Sequence, residues 1–129
     1  MRMKRIRLFI RESSINKAIG SELNLLLDDE ANLIDAINEV DKIINSKGHF
    51  PVLDYQSLLH MIYNPVRNKF YKQVAITAYK SGQVLNAGED PKKKLPEDAT
   101  VILVPAGGCI TEWEEVLDYE EFLKAILSQ

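Results

Sequence analysis

Residues 95–109 read Leu-Pro-Glu-Asp-Ala-Thr-Val-Ile-Leu-Val-Pro-Ala-Gly-Gly-Cys, which is a polar turn, a strand, a proline and a diglycine. Because residues 101–104 are all apolar, the strand should lie inside a sheet that is covered on both faces. Pro105 cannot donate a ladder hydrogen bond, so the strand should end there. Gly107 and Gly108 then provide either a simple turn or a segment without side chains that could enter a narrow partner site.

The size and composition of the chain indicate one ordinary globular domain. A length of 129 residues supports a single core, and the apolar and charged fractions of 46% and 27% are typical of such proteins. The net charge of −3 argues against a nucleic-acid or membrane partner, and no apolar run approaches the roughly 18 residues of a membrane span. One cysteine and two histidines allow no internal disulfide and no persuasive metal set, which fits a cytoplasmic protein.

The first part of the chain predicts a hairpin followed by a helix. Residues 4–11 alternate with period two, which places a basic and partly aromatic row, Arg5, Arg7, Phe9 and Arg11, opposite an apolar row that should be covered. Residues 13–20 read as a polar connection, and residues 21–27 as the antiparallel partner strand. Apolar residues at helical spacing then predict a helix over about 30–45 that ends at Gly48.

The second part predicts an insert, a second group of strands and a C-terminal helix. In the insert, residues 49–72, Asp54 could cap a short helix that ends before Asn64-Pro65. A third strand follows over 74–79, then a turn at 80–83 and a short return at 84–85. Helical spacing returns at about 118–127.

This order of elements predicts an α+β fold of the β-grasp type. A mixed sheet would be covered by one main helix, with residues 101–104 paired centrally beside residues 4–11. The chain would divide into a β-grasp domain, residues 1–108, and a C-terminal helical extension, residues 109–129.

Residues 4–45 and 73–108 resemble the ubiquitin-like proteins, and in particular the sulfur carriers of the MoaD and ThiS type. The resemblance depends on the hairpin and helix, the turn at Gly82, the Val-Ile-Leu-Val-Pro strand and the diglycine. It implies a non-catalytic protein that acts through protein contacts, and we expect neither a cofactor nor a metal. An ATP-dependent adenylating enzyme would activate Gly108, Gly107 would let the end enter that enzyme, and Arg5, Arg7 and Phe9 would belong to the docking face.

One departure from this pattern leaves two functions open. A further 21 residues follow Gly108, so a carboxylate exists there only if the chain is cut after Gly108. The chain is therefore either a sulfur carrier or protein modifier that loses residues 109–129, or an interaction module that keeps them. The large apolar side chains of this extension could cover the body or a homodimer partner. We find no nucleophile–base set, phosphate loop or carboxylate pair that would indicate an enzyme.

Overall fold

A computed structural model describes residues 2–71, 74–81, 83–85 and 90–105. Its elements in chain order are β1 (Met3–Ile10), α1 (Ser13–Ile19), β2 (Glu22–Asp28), α2 (Leu33–Lys47), α3 (Leu58–Ile62), β3 (Tyr63–Asn64), β4 (Lys69–Phe70), β5 (Ala75–Lys80), β6 (Gln83–Leu85) and β7 (Thr100–Val104). The predicted C-terminal helix and the diglycine lie outside the described residues, so the boundary predicted at residue 108 stays a prediction.

The main sheet has five strands in the order β2-β1-β7-β5-β6. β1 pairs antiparallel with β2 and parallel with β7, and β5 pairs antiparallel with both β7 and β6. The final described strand therefore lies between the first strand and the later hairpin. This arrangement, with α2 following the first hairpin, is the predicted β-grasp fold.

The core lies between one face of the sheet and α2. Along β1 the residues Ile6, Leu8 and Ile10 are buried, as the alternation predicts. Leu25 and Leu27 of β2 are buried on the same side of the sheet. Each such aliphatic side chain contributes roughly 1.5–3 kcal/mol of burial free energy, so period-two patterning is sufficient to fix which face is covered.

The helix α2 begins and ends at residues that cap it. The Asn32 side chain accepts a hydrogen bond from the Asp35 N–H, and the Asp35 carboxylate accepts one from the Asn32 N–H. This capping box places the start of the helix at Leu33, slightly after the predicted residue 30. Gly48 is the C-terminal cap, as predicted, and its φ of 133° favours glycine.

The prediction of a connection without regular structure at residues 13–20 is wrong. The helix α1 occupies this segment because the Glu12 carboxylate accepts a hydrogen bond from the Ile15 N–H, which satisfies one of the unpaired amides of the first turn. Ile15 is fully buried and fixes the helix against the core.

The insert contains the predicted short helix but not the predicted cap. Ser57 is the N-cap of α3, and Asp54 has a φ of 71° and takes no part in the cap. The insert also contains a two-stranded sheet of β3 and β4. In it the rings of Tyr63 and Phe70 pack edge to face, with 5.4 Å between the ring centroids.

The strand β7 confirms two predictions, and a third, cover on both faces, is met on one face within the described residues. It is central and it ends at Val104, directly before Pro105. Val101 and Leu103 are completely buried, but Ile102 is only half-buried and Val104 is 36% exposed. Among the residues that the structure describes, cover is therefore present on one face of β7 only, and the predicted cover of the other face stays a prediction. The covered face is the one under α2, and both α1 and α3 contact α2.

Candidate functional site

The candidate site consists of the outer face of the main sheet and the rim at which β7 ends. We define the outer face as the face opposite α2. β7 delivers the chain to Pro105, which is buried next to the end of β1, where the Arg11 N–H donates a 2.9 Å hydrogen bond to the Leu103 carbonyl. Gly107 and Gly108 follow within three residues, but they lie outside the described residues.

The predicted docking residues Arg5, Arg7 and Phe9 occupy successive outward positions on β1. The two arginines are exposed and Phe9 is half-buried. Phe9 lies between Glu22 of β2 and Ile102 of β7. The structure thus brings the three residues together on one surface beside the strand that leads to the diglycine, while their role in docking stays a prediction.

A shallow groove crosses this surface between β1, β2 and the start of β7. Its polar side chains come from five residues: Arg5, Arg7, Asn24, Asp98 and Thr100. The Asp98 N–H donates a 2.8 Å hydrogen bond to the Arg5 carbonyl oxygen, which brings the turn before β7 against β1. The groove therefore offers two guanidinium groups, an amide, a hydroxyl and a carboxylate, a mixture suited to a polar protein surface.

The charges of the outer face are partly compensated. The Nε atom of Arg7 lies 3.3 Å from Oε1 of Glu22, and both side chains are about half exposed. An exposed pair of this kind contributes at most about 1 kcal/mol to stability. A partner carboxylate could therefore displace Glu22 from Arg7 at little cost.

Lys4 is a residue that the sequence analysis did not identify. Its side chain has no exposed surface, and its Nζ atom donates hydrogen bonds to the carbonyl oxygens of Asp29, Ala31 and Leu95 at 2.8, 2.7 and 2.5 Å. Burial lowers the pKa of this ammonium group. Because all three protons are used, the group can stay charged and serve as a structural clasp.

A second lysine stabilises the same loop from outside. Nζ of Lys94 lies 3.3 Å from Oε1 of Glu30 and 3.5 Å from Oδ2 of Asp29. The hydrogen bond to Glu30 raises the pKa of Lys94, and the Asp29 charge acts in the same direction. Together the two lysines fix the turn before α2 to the segment before β7.

Asp41 links the insert to α2. Its carboxylate is buried and accepts hydrogen bonds from the N–H groups of Leu58 and Leu59 at 2.7 and 3.1 Å. Burial raises the pKa of Asp41, although these two hydrogen bonds oppose the shift. Asp41 thus satisfies two amides at the start of α3, and its role is structural.

Two kinds of functional feature are absent from the part of the chain that the structure describes. No three His, Cys, Asp or Glu side chains there lie close enough together to hold a metal ion. Among the helices of the same residue ranges, none is long and apolar enough to cross a membrane.

Further outer-face residues could have been identified from the strand patterns alone. Leu26 lies beside Arg5 on the edge strand and is 59% exposed, and Val84 on β6 is 73% exposed. Their period-two positions place them on the outer face together with Ile102 and Val104 of β7. The period-two pattern indicates Lys4 less clearly. Lys4 lies on the same face of the strand as Ile6, but a lysine at a strand end is usually exposed.

No family model matches the chain, and no curated protein matches it. The crystal structure of small archaeal modifier protein 1 from H. volcanii is similar to it over 79% of this chain and 97% of that one, with a TM-score of 0.49 and 10% sequence identity. The assignment of the fold depends on strand order and pairing and not on this likeness. By that order, and by the parallel pairing of β1 with β7, the chain has the ubiquitin-like β-grasp fold.

Proposed function

We propose that the chain is a ubiquitin-like carrier or protein modifier that acts through Gly108 after removal of residues 109–129. The observation that supports this proposal best is the central position of β7, which brings the chain to the rim of the sheet three residues before the diglycine. A rigid strand followed by residues without side chains suits an end that must enter a partner's active site while the body docks outside.

The proposed chemistry has three steps, and in each of them this chain is only a substrate. Water first cleaves the peptide bond between Gly108 and Cys109, which leaves a carboxylate on Gly108. A partner enzyme then joins this carboxylate to the α-phosphate of ATP, with release of pyrophosphate. Finally a sulfide sulfur or a lysine amine attacks the acyl carbon and displaces AMP, which gives a thiocarboxylate or an isopeptide.

The docking surface in this proposal is the outer face around Arg5, Arg7 and Phe9. The half-buried aromatic ring next to two exposed arginines provides apolar area, and the arginines provide donors for carboxylate groups, a combination that is enriched at protein interfaces. The partner is an ATP-dependent adenylating enzyme whose docking surface carries acidic and apolar side chains.

Recovery of the chain from its native cell, through an N-terminal tag, tests this function. Trypsin cuts after Lys94, so a conjugated target lysine would keep the branch made of residues 95–108. We expect this branch, or an adenylating enzyme recovered with the chain, and we expect the branch to be lost in the Gly108→Val variant. Recovery of neither, with the full-length chain in every fraction, contradicts the proposal.

One observation favours a second function, an interaction module with a permanent extension. Residues 109–129 contain several large apolar side chains, including Trp113 and Phe122, which are unusual in a segment that is to be discarded. Such a module would show stable protein partners and no branched peptide in the same experiment.

A further inference from the structure

The strand β2 is an edge of the main sheet, and among the described residues it pairs with β1 alone. Before its first residue, the Ser21 carbonyl accepts a 3.3 Å hydrogen bond from the Ile10 N–H. After its last residue, the Asp29 N–H donates a 2.9 Å hydrogen bond to the Arg2 carbonyl. Because main-chain groups alternate along a strand, the odd-numbered residues of β2 turn theirs towards β1. The even-numbered residues turn theirs towards the edge, and they are Glu22, Asn24, Leu26 and Asp28.

This edge is suited to pairing with a further strand. The Asp28 carbonyl already accepts a 2.9 Å hydrogen bond from the Ala31 N–H, so the open part of the edge covers residues 22–26. Asn24 and Leu26, in its middle, are exposed and carry neither a charge nor a proline that would discourage pairing. An edge of this kind is a template for an extended segment of another chain.

An open groove of about 700 Å³ lies beside the edge, on the α2 side of the sheet. Its walls are the end of β2 and one side of α2, and its apolar lining comes from Leu27 and Ala31. Side chains of an added strand would alternate between the two faces of the sheet. Every second side chain would therefore point towards this groove.

The groove is acidic, because its ionisable side chains are those of Asp28, Glu30, Asp35, Glu39, Asp41 and Lys42. Glu39 lies 3.5 Å from Lys42, and Glu30 is paired with Lys94, so their charges are partly balanced. Asp28 and Asp35 are exposed and accept hydrogen bonds from main-chain N–H groups. Neither forms an ion pair with another described residue, so a basic side chain in the groove would find uncompensated carboxylates.

We propose that the β2 edge binds an extended segment of another protein in which lysine or arginine occupies every second position. The main chain of this segment extends the sheet by one strand, and its basic side chains enter the acidic groove. A small polyamine would match the charge of the groove, but it has no amide groups to pair with the edge. The edge and the groove together therefore favour a peptide.

Two occupants from this chain itself fit the surface less well. A second copy that paired through its own β2 edge would bring two acidic grooves together. Residues 109–129 contain six acidic residues and one basic residue, so their composition does not complement the groove.

The inference does not depend on Gly108 or on carrier chemistry. The acidic groove lies on the α2 side of the sheet, whereas the adenylating enzyme is proposed to dock on the outer face. A carrier could therefore hold the basic segment and the enzyme at the same time.

Fluorescence anisotropy with the full-length chain tests the surface, and the probe is a labelled peptide that matches the seven residues of β2 in length and alternates lysine with threonine. We expect saturable binding, and binding that is at least tenfold weaker when glutamate replaces lysine in the peptide. Two further copies of the lysine peptide carry N-methyl groups, one on every lysine nitrogen and the other on every threonine nitrogen. Since alternate N–H groups face opposite sides of a strand, only one of these two copies should lose affinity.

A double variant of the chain tests the groove. Asp35→Asn/Glu39→Gln removes two of its charges, and the asparagine keeps an oxygen that can accept from the Asn32 N–H. We expect it to weaken binding of the lysine peptide at least fivefold. Asp90→Asn/Glu97→Gln is the matched control, because it makes the same changes at exposed residues outside the groove, and it should leave the affinity unchanged. Far-ultraviolet circular dichroism checks that both variants fold.

Four outcomes of these measurements overturn the proposal. They are the absence of saturable binding, equal affinities of the lysine and glutamate peptides, equal affinities of the two methylated peptides, and equal effects of the two double variants. A dimer of the unmodified chain that dissociates when Leu26→Pro removes an edge N–H would also overturn it, since the edge would then belong to a second copy. Each of these results would leave the proposed carrier function intact.

Discussion

The Nζ atom of Lys4 donates a 2.5 Å hydrogen bond to the carbonyl oxygen of Leu95, and so joins two positions that are 91 residues apart. Two further hydrogen bonds from Nζ reach Asp29 and Ala31, and the Leu95 N–H donates to the Ala31 carbonyl at 3.0 Å. The start of β1, the turn before α2 and the approach to β7 therefore meet at one buried ammonium group.

Replacement of this ammonium group should be costly. Lys4→Met keeps much of the apolar volume but leaves three carbonyl oxygens without their donor, and we expect a loss of about 3 kcal/mol in the free energy of unfolding. Urea unfolding measures this value. Lys17→Met, at an exposed lysine of α1, should change stability by less than about 0.5 kcal/mol. Equal effects of the two substitutions would show that the hydrogen bonds of Lys4 do not contribute to the free energy of unfolding.

The buried carboxylate of Asp41 should give stability a defined dependence on pH. Burial raises its pKa in the folded state above 3.8, so the protonated form is favoured by folding. The contribution to stability is therefore fully present below pH 3.8 and is lost as the pH rises through the raised pKa. Asp41→Asn cannot titrate, so the stability of the unmodified chain relative to this variant should increase as the pH falls.

The same substitution should also weaken the protein at neutral pH. One carboxylate oxygen accepts from Leu58 and the other from Leu59, and an asparagine would present an NH₂ group to one of these donors. We expect a loss of about 1–2 kcal/mol. Glu39→Gln on the same helix is the control. A stability difference between the unmodified chain and Asp41→Asn that does not vary with pH would contradict the raised pKa of Asp41.

The central strand should be more sensitive than the edge of the sheet. Leu103→Ala removes a completely buried side chain of β7 and should cost about 3 kcal/mol, whereas Val84→Ala at a 73% exposed position of β6 should cost less than about 0.5 kcal/mol. Thermal unfolding of both variants provides the measurement. Similar values for the two would contradict the central placement of β7.

Docking through the outer face predicts a selective loss of partner binding. Arg5→Ala/Arg7→Ala/Phe9→Ala should weaken binding to the adenylating enzyme at least tenfold, since arginine and aromatic side chains carry much of the energy of such interfaces. Lys42→Ala/Lys47→Ala, at two exposed lysines of α2, should leave the affinity unchanged. Calorimetry with the recovered enzyme distinguishes these results, and an unaffected triple variant would place the docking surface elsewhere.

The sequence predicted the sheet well because its strands follow simple patterns. Residues 4–11 and 21–27 alternate with period two, and residues 101–104 are uniformly apolar, so their faces and the central position of β7 could be inferred. The helix α1 was missed because its cap is a glutamate, Glu12, and only Ile15 within it is buried. The cap of α3 includes Asp41, which is 17 residues away from Leu58 and leaves no local signal.

The candidate site was predictable only in part. Arg5, Arg7 and Phe9 are neighbours on one strand, so their common face follows directly from their spacing. Asn24, Asp98 and Thr100 join the groove through strand pairing and through the turn before β7, whose geometry depends on the positive φ of 61° at Asp98. Contacts between distant segments of this kind require the folded structure.

The intact mass of the untagged chain, purified from its native cell, tests the central claim most directly. The account predicts a chain that ends at Gly108. This end carries either a carboxylate or a thiocarboxylate, whose mass is that of the carboxylate with one oxygen replaced by sulfur. A population that consists only of the full 129-residue chain would contradict the proposed use of the diglycine.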